Sequence, residues 1–563
     1  MANYGRDPAK EVQLPVRIPL LGLLNNREDN PRRGSRLVNG YVEKGEDGQI
    51  YVVKRPGLRV LYSLEGYGRG MYGPASVFVQ AATGGSEAIA YFNGEMVFSF
   101  GVTADLPEDT NHYWFEPVAD SLSSVAYFIH NKQQAWVYQN GALALVPFET
   151  ASFQILGDTT NTSTTISTAT TAGITVYSTI TGAGIPDGTF VESIDGTTSF
   201  TISAPATATA SSIVLVFGSG GPSANPPATR PDGTPAPIID VLTGGIVDLN
   251  TATHLLDYRG VISTSDVLNP TSWNPLSRIY AYARQDTPIA IASQLSYVIA
   301  FKSTSTEFFQ DEGLSPGSPL ARVEGLRLDV GCYRDRTVCD LDGTLYWVSN
   351  TVAGRKSVWK MRDARPADIA TPAVRRVLEG SDPQWAIAFS LAGHDFYLVT
   401  DPIAGYTLAY DATSDYWSYW KALGENYFPF VAAFYAEEAI RLQHETNGKI
   451  YVIDPSYFDD IGDPYEMDIY LPEFDAGMRQ SKYLTRMRVI ADQVRYSYLK
   501  VRVSDENMTH GTWSNFRIFN LWEANPHLEQ CGSFYKRSFH FQHAEKTACR
   551  LQAIELEIHP GVL

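Results

Sequence analysis

The chain has 563 residues, 44% apolar and 19% charged, with a net charge of −18. That balance excludes wholesale disorder and leaves room for two to four domains with sizeable cores. No stretch reaches the roughly 18 apolar residues of a membrane span. The apolar start from Val12 to Leu24 is interrupted by Pro15, Arg17 and Pro19, which no signal peptide's core would be, so synthesis in the cytoplasm is expected.

The charge is unevenly spread. Residues 1–70 carry 12 Lys and Arg against 8 Asp and Glu, residues 470–563 carry 12 against 10, and residues 71–469 carry 20 against 44. A solvated acidic surface accounts for the middle, and so does a segment that repels nucleic acid.

Short apolar runs introduced by turns dominate the chain, and helical periodicity is scarce. Asp47-Gly48, Asn93-Gly94 and Asn140-Gly141 each lead into an aliphatic or aromatic run. Gly244-Gly245, Leu295-Ser296, Asp342-Gly343, Ala392-Gly393 and Asn447-Gly448 do the same further on. Asn-Gly and Asp-Gly accept positive φ at both central positions of a type I′ hairpin turn. The turns recur about every 50 residues, the length of a four-stranded propeller blade. The expected fold is all-β, a β-propeller of six to eight blades; a stack of β-sandwiches is the competing reading.

Between the third and fourth of these turns lies a segment of different composition. Residues 156–217 hold 17 Thr and 8 Ser and no Lys or Arg. Alternating β-branched residues around Asp195-Gly196 indicate a small inserted β-module, followed by a Pro-rich linker that returns the chain. After the repeats, Asp454, Asp459, Asp460, Asp463, Glu466 and Asp468 read as a solvated acidic turn without calcium-loop geometry. Runs at 483–491, 498–504, 516–521, 538–541 and 551–559 read as strands of a C-terminal β-sandwich.

Chemistry-bearing patterns are few. Gly313-Leu314-Ser315-Pro316-Gly317 fits G-x-S-x-G, but the residue after the serine must donate an oxyanion N–H, and Pro316 has none. Phosphate-loop, dinucleotide and zinc-protease motifs are missing. Cys332, Cys339, Cys531 and Cys549 are expected as free thiols, and Cys531, Cys549, His527, His540, His543 and His559 lack metal-ligand spacing. No catalytic residue, metal or cofactor is expected, and the protein is read as a non-enzyme.

The N-terminal pattern is more specific. It runs Asn30-Pro31-Arg32-Arg33-Gly34-Ser35-Arg36-Leu37-Val38-Asn39-Gly40-Tyr41-Val42-Glu43, then Lys54-Arg55-Pro56-Gly57-Leu58. This resembles the opening of the packaged-DNA stabilisation, or tail nozzle, proteins of short-tailed bacteriophages, with an N-x-Y-x-E element and an R-P-G turn. Leu499 to Asp505 followed by Thr512-Trp513-Ser514 is similar to that family's C-terminal hairpin, with Glu506-Asn507 in place of its usual Asp-Gly. The resemblance implies a virion tail protein: a homo-oligomeric ring, a hexamer, below the portal and its adaptor ring. It would retain packaged DNA, let DNA pass without sequence-specific binding, and dock tail fibres or tailspikes. The alternative is a receptor-binding or glycan-processing propeller.

The expected organisation is an N-terminal arm (1–49), first blades (50–155), the insert and linker (156–237), remaining blades (238–462) and a C-terminal sandwich (463–563) that the N-terminal segment joins. Arg32, Arg33 and Arg36, in a turn-rich stretch, are the candidate partner-binding residues, directed at an acidic protein partner or DNA phosphates; a solvated loop is the alternative.

Overall fold

The computed structural model describes residues 16–18, 35–45, 48–62, 67–72, 77–83, 88–93, 96–100, 112–121, 124–132, 135–139, 142–146, 153–171, 180–186, 189–217, 242–314, 317–436, 438–506 and 512–561, with single positions 20, 174 and 508. Nearly every described element is a strand; Pro372–Glu379 is the α-helix among them, capped by the Thr371 side chain, which accepts from the Val374 amide at 3.3 Å. The chain divides into two compact units, one of 69–367 and one of 1–68 with 368–563.

The unit of 69–367 is built from antiparallel four-stranded sheets in chain order. Their first strands are Tyr67–Tyr72, Trp114–Ser121, Val247–Leu249 and Pro288–Gln294, and a further sheet runs from Gly331–Cys332 to Arg365–Asp368. Successive sheets pack face to face. In Tyr297–Lys302, Val298 and Ala300 pack with Leu256 and Ile262 of the sheet before, while Ile299 and Phe301 pack with Leu345 and Trp347 of the sheet after. Inner strands such as Tyr297–Lys302 and Thr344–Asn350 are thus covered on both faces, which is why they read as continuous apolar runs and not as alternation. This mutual stacking of four-stranded meanders is propeller packing.

Within the same unit the Thr-rich insert forms its own six-stranded sheet, edge to edge from Ile180–Thr181 to Val191–Ile194. Ile166, Ile180, Val191, Phe200, Ile202, Leu215 and Phe217 make a separate core. Its first strand is Phe153–Thr159, paired with Ala210–Phe217, so the module starts ahead of the expected boundary at 156. The chain leaves the preceding sheet at Val146, whose amide donates to Ala135, and rejoins it at Leu242, whose amide donates to Lys132 at 3.0 Å. The Pro-rich linker lies outside the described residues.

The second unit contains two more blade-like sheets. One is Trp385–Leu391, His394–Asp401, Tyr406–Asp411 and Tyr416–Tyr419. The other is Phe430–Ala436, Ala439–His444 and Ile450–Asp454, completed by Gly57–Tyr62 from the opposite end of the sequence. The unit also contains a β-sandwich. Arg36–Val38, Met467–Phe474, Arg537–His543, Tyr498–Ser504 and Arg517–Asn520 lie side by side in one sheet. Gly40–Lys44, Ile50–Lys54, Arg550–Pro560 and Lys482–Ala491 form the other. Leu37, Val42, Val52, Ile469, Leu499, Phe539, Phe541, Ile554 and Leu556 fill the space between them.

Two expectations are corrected here. The Asp47-Gly48 turn does not open a blade: it joins Gly40–Lys44 to Ile50–Lys54 inside the sandwich. Gly244-Gly245 is no hairpin turn either; it leads into Val247–Leu249, and the hairpin turns at Asn250 and Thr251, both at positive φ.

Candidate functional site

The R-P-G turn sits where Gly57–Tyr62 leaves the sandwich to complete the last sheet. Arg55 is fully buried, and all five of its N–H donors are used. Nη1 and Nη2 hold Asp460 as a fork at 3.0 and 2.6 Å, Nε donates to Asn39 Oδ1 at 3.2 Å, and the remaining two reach the carbonyls of Pro56 and Lys421. Burial works against the charge, but Asp460 outweighs it and the net shift of Arg55 is upward. Tyr465 lies 3.9 Å from the guanidinium and donates its hydroxyl to the Arg55 carbonyl.

Asn39 completes the joint. At φ 54 it donates its side-chain amide to the Glu466 carbonyl and accepts from the Lys421 amide. A side chain at Gly57 would meet the Asp459 carbonyl oxygen at 2.1 Å, so only glycine lets the two segments approach. Arg59 pairs with Asp459 at 2.5 Å. The expected solvated acidic turn is corrected in part: Asp463 and Glu466 are exposed, but Asp459 and Asp460 are buried on cations some 400 residues away in sequence, and Asp468 is buried as well.

Of the candidate partner-binding arginines, the structure describes one. Arg32 and Arg33 lie outside the described residues. Arg36 lies opposite Tyr470 with its guanidinium 3.9 Å above the ring. Tyr470 stacks in turn on His540 at 4.0 Å. Arg502 donates Nε to His540 Nδ1 at 2.8 Å, which fixes the ring as neutral with its Nε2–H donated to Asp468. Burial also lowers the His540 pKa. Arg36, Tyr470, His540 and Arg502 thus form a row across four strands on the face turned away from the sandwich core. Sequence reading identified Arg36 alone; the alternation of apolar and polar residues in 499–503 and 537–543 is the signal that could have found the rest.

Groups capable of chemistry serve packing. His394, Ser414 and Asp411 meet, but both His394 and Ser414 bond the same Asp411 oxygen, so the histidine does not bridge acid to hydroxyl. Ser315 and Pro316 of the G-x-S-x-G stretch lie outside the described residues. The four cysteines are free thiols, and burial pushes Cys332, Cys339 and Cys549 up to about 12. Among the described residues no His, Cys, Asp and Glu side chains group as metal ligands. In the unit of 69–367, burial first and then Asp248 and Asp340 raise Glu116 to about 8.

Stacked four-stranded sheets define this as a propeller-class all-β protein. Residues 256–457 match the family model described as bacteriophage P22 Gp10, beta-propeller. The match supports a phage packaged-DNA stabilisation family of structural virion proteins, and hence a phage structural protein that stabilises packaged DNA. None of the curated proteins compared matches the chain. Among solved structures, the computationally designed Ika8 protein is 11% identical with a TM-score of 0.35, covering 71% of this chain and 99% of its own. YCF48 bound to D1 peptide is 8% identical with a TM-score of 0.35, covering 71% and 99%. At these scores the likenesses say nothing about function. No helix among the described residues is long and apolar enough to cross a membrane.

Proposed function

We propose that this protein is the tail nozzle, or hub, of a short-tailed phage. Copies form a ring, a hexamer, that closes the portal–adaptor conduit, retains the packaged genome, serves as its exit channel and carries tail fibres or tailspikes. The match of 256–457 to a packaged-DNA stabilisation family carries this reading. Charge supports it: 71–469 hold 20 basic against 44 acidic residues. Each phosphate neutralised by a lysine or arginine adds affinity through counterion release, so a wall that DNA must slide along works best without such contacts. The ends of the chain, which share one sandwich, would face the adaptor ring, with Arg32, Arg33 and Arg36 as its basic collar. DNA passes without sequence-specific binding, and the chain performs no catalysis.

The experiment is packaging without the protein. Particles assembled in its absence should fill with DNA and then lose it, leaving nuclease-accessible genome and empty heads. Particles that keep a protected genome without it would overturn the reading.

A further inference from the structure

The two outer faces of the sandwich are chemically unlike. On the sheet of Lys482–Ala491 and Arg550–Pro560, outward charges are paired. Arg17 and Arg488 flank Glu555 at 3.0 and 3.6 Å, Arg486 holds Glu529 at 2.8 Å, and Arg550 holds Glu43 at 2.9 Å. Such a face is settled in water and gains little from a partner.

The face carrying the Arg36–Tyr470–His540–Arg502 row is different. Among the described residues, Lys500 and Arg502 make no ion pair. The carboxylate in these rows, Asp468, is already taken by His540 and Gln542. Arg502 lies 5.2 Å from the Trp513 ring and 4.7 Å from Phe516. Beside them Tyr498 and Phe516 are each 38% exposed and Ile518 54%. The register sets Lys500 opposite Ile518 and both on the side away from the core. Aromatic rings, arginine and exposed aliphatic carbon, with few carboxylates, are the composition of an interface centre.

We propose that the Lys500–Arg502–Ile518 end of this face, away from the Arg36 end that would meet the adaptor ring, is the contact between neighbouring copies of the chain, and that it receives an acidic surface from residues 71–469 of the next copy. The inference rests on the ring reading above. Copies that each carry −18 repel one another, so a stable contact must bring a local excess of cations against a local excess of anions. Lys500 and Arg502 supply the first, the acidic middle of the chain the second. The rings of Trp513 and Phe516 hold the Arg502 guanidinium in place, which lowers the entropy lost when a carboxylate takes its free N–H groups.

The test is photo-crosslinking in assembled phage particles. A benzophenone amino acid is placed at Ile518 and, as a control on the paired-charge face, at Thr485. The expected result is a covalent dimer of this chain from position 518, with the second attachment mapping inside 71–469, and none from position 485. Lys500→Glu should cut that dimer several-fold while the purified protein keeps its circular dichroism and melting temperature. Crosslinks from 518 to a different protein, or none at all in particles that contain the chain, overturn the assignment. Particles that lack the chain overturn the ring reading itself, which separates the two failures.

Discussion

Replacing Asp460 with Asn should destabilise the second unit severely, because Arg55 cannot leave its site. The substitution keeps the shape but removes the charge that the guanidinium grips at 3.0 and 2.6 Å, with both side chains 2% exposed or less. Breaking a buried pair by removing one partner costs about 3–5 kcal/mol, since the surviving charge stays in an apolar site. At about 2–4 °C per kcal/mol for a unit of this size, melting should fall by roughly 6–20 °C. The loss should appear in urea titration followed by tryptophan fluorescence, because Trp420 donates to the Gly40 carbonyl beside the joint. Arg55→Met combined with Asp460→Leu should recover much of it, as removing both charges leaves nothing to desolvate. A single Asp460→Asn variant within about 1 kcal/mol of the parent would refute the reasoning, by showing that water reaches the pair.

Other substitutions probe separate parts. Glu116 has a folded pKa of about 8 against an ordinary 4.5, so its contribution to stability is fully present below 4.5 and is lost as pH rises through 8. Melting temperature should therefore decline from pH 5 to pH 9, and Glu116→Gln should remove roughly 3 kcal/mol of that decline; an unchanged profile would contradict it. Joining residue 150 to residue 240 should leave the remaining sheets intact within about 1 kcal/mol, because the insert has its own core and shorter connections cost little closure entropy. Loss of the strand signal in circular dichroism would show that the module is part of the propeller core. Arg32→Ser, Arg33→Ser and Arg36→Ser together should leave the monomer folded, since loss of the Arg36 guanidinium over the Tyr470 ring costs only about 1 kcal/mol, yet impair docking to the adaptor ring; normal tail assembly with retained DNA would rule out the basic collar.

The repeat was legible because hairpin chemistry is local. Asp342 and Gly343, like Ala392 and Gly393, both take positive φ, as a type I′ turn requires. The period emerged even though the turns sit at different places in their sheets. The links after Asn93 and Gln139 run from third to fourth strands, Gly343 and Gly393 join earlier ones, and Gly448 joins second to third. Turn chemistry reports a hairpin, not which hairpin, and so Asp47-Gly48 was drawn into the series although it lies in the sandwich. Closure of the last sheet by Gly57–Tyr62 could not be read at all, since its partner Ile450–Asp454 is separated by most of the chain. The same holds for the site: Arg36 and the R-P-G turn stand out in sequence, whereas Asp460 looks like one solvated acid among several until folding places it on Arg55.

The most direct test of the central claim is a cryo-electron microscopy reconstruction of the phage tail. The account predicts a ring of this chain coaxial with the portal, below the adaptor, with the DNA path through its centre. A reconstruction that finds the chain off the axis, as an isolated fibre or spike, would contradict it.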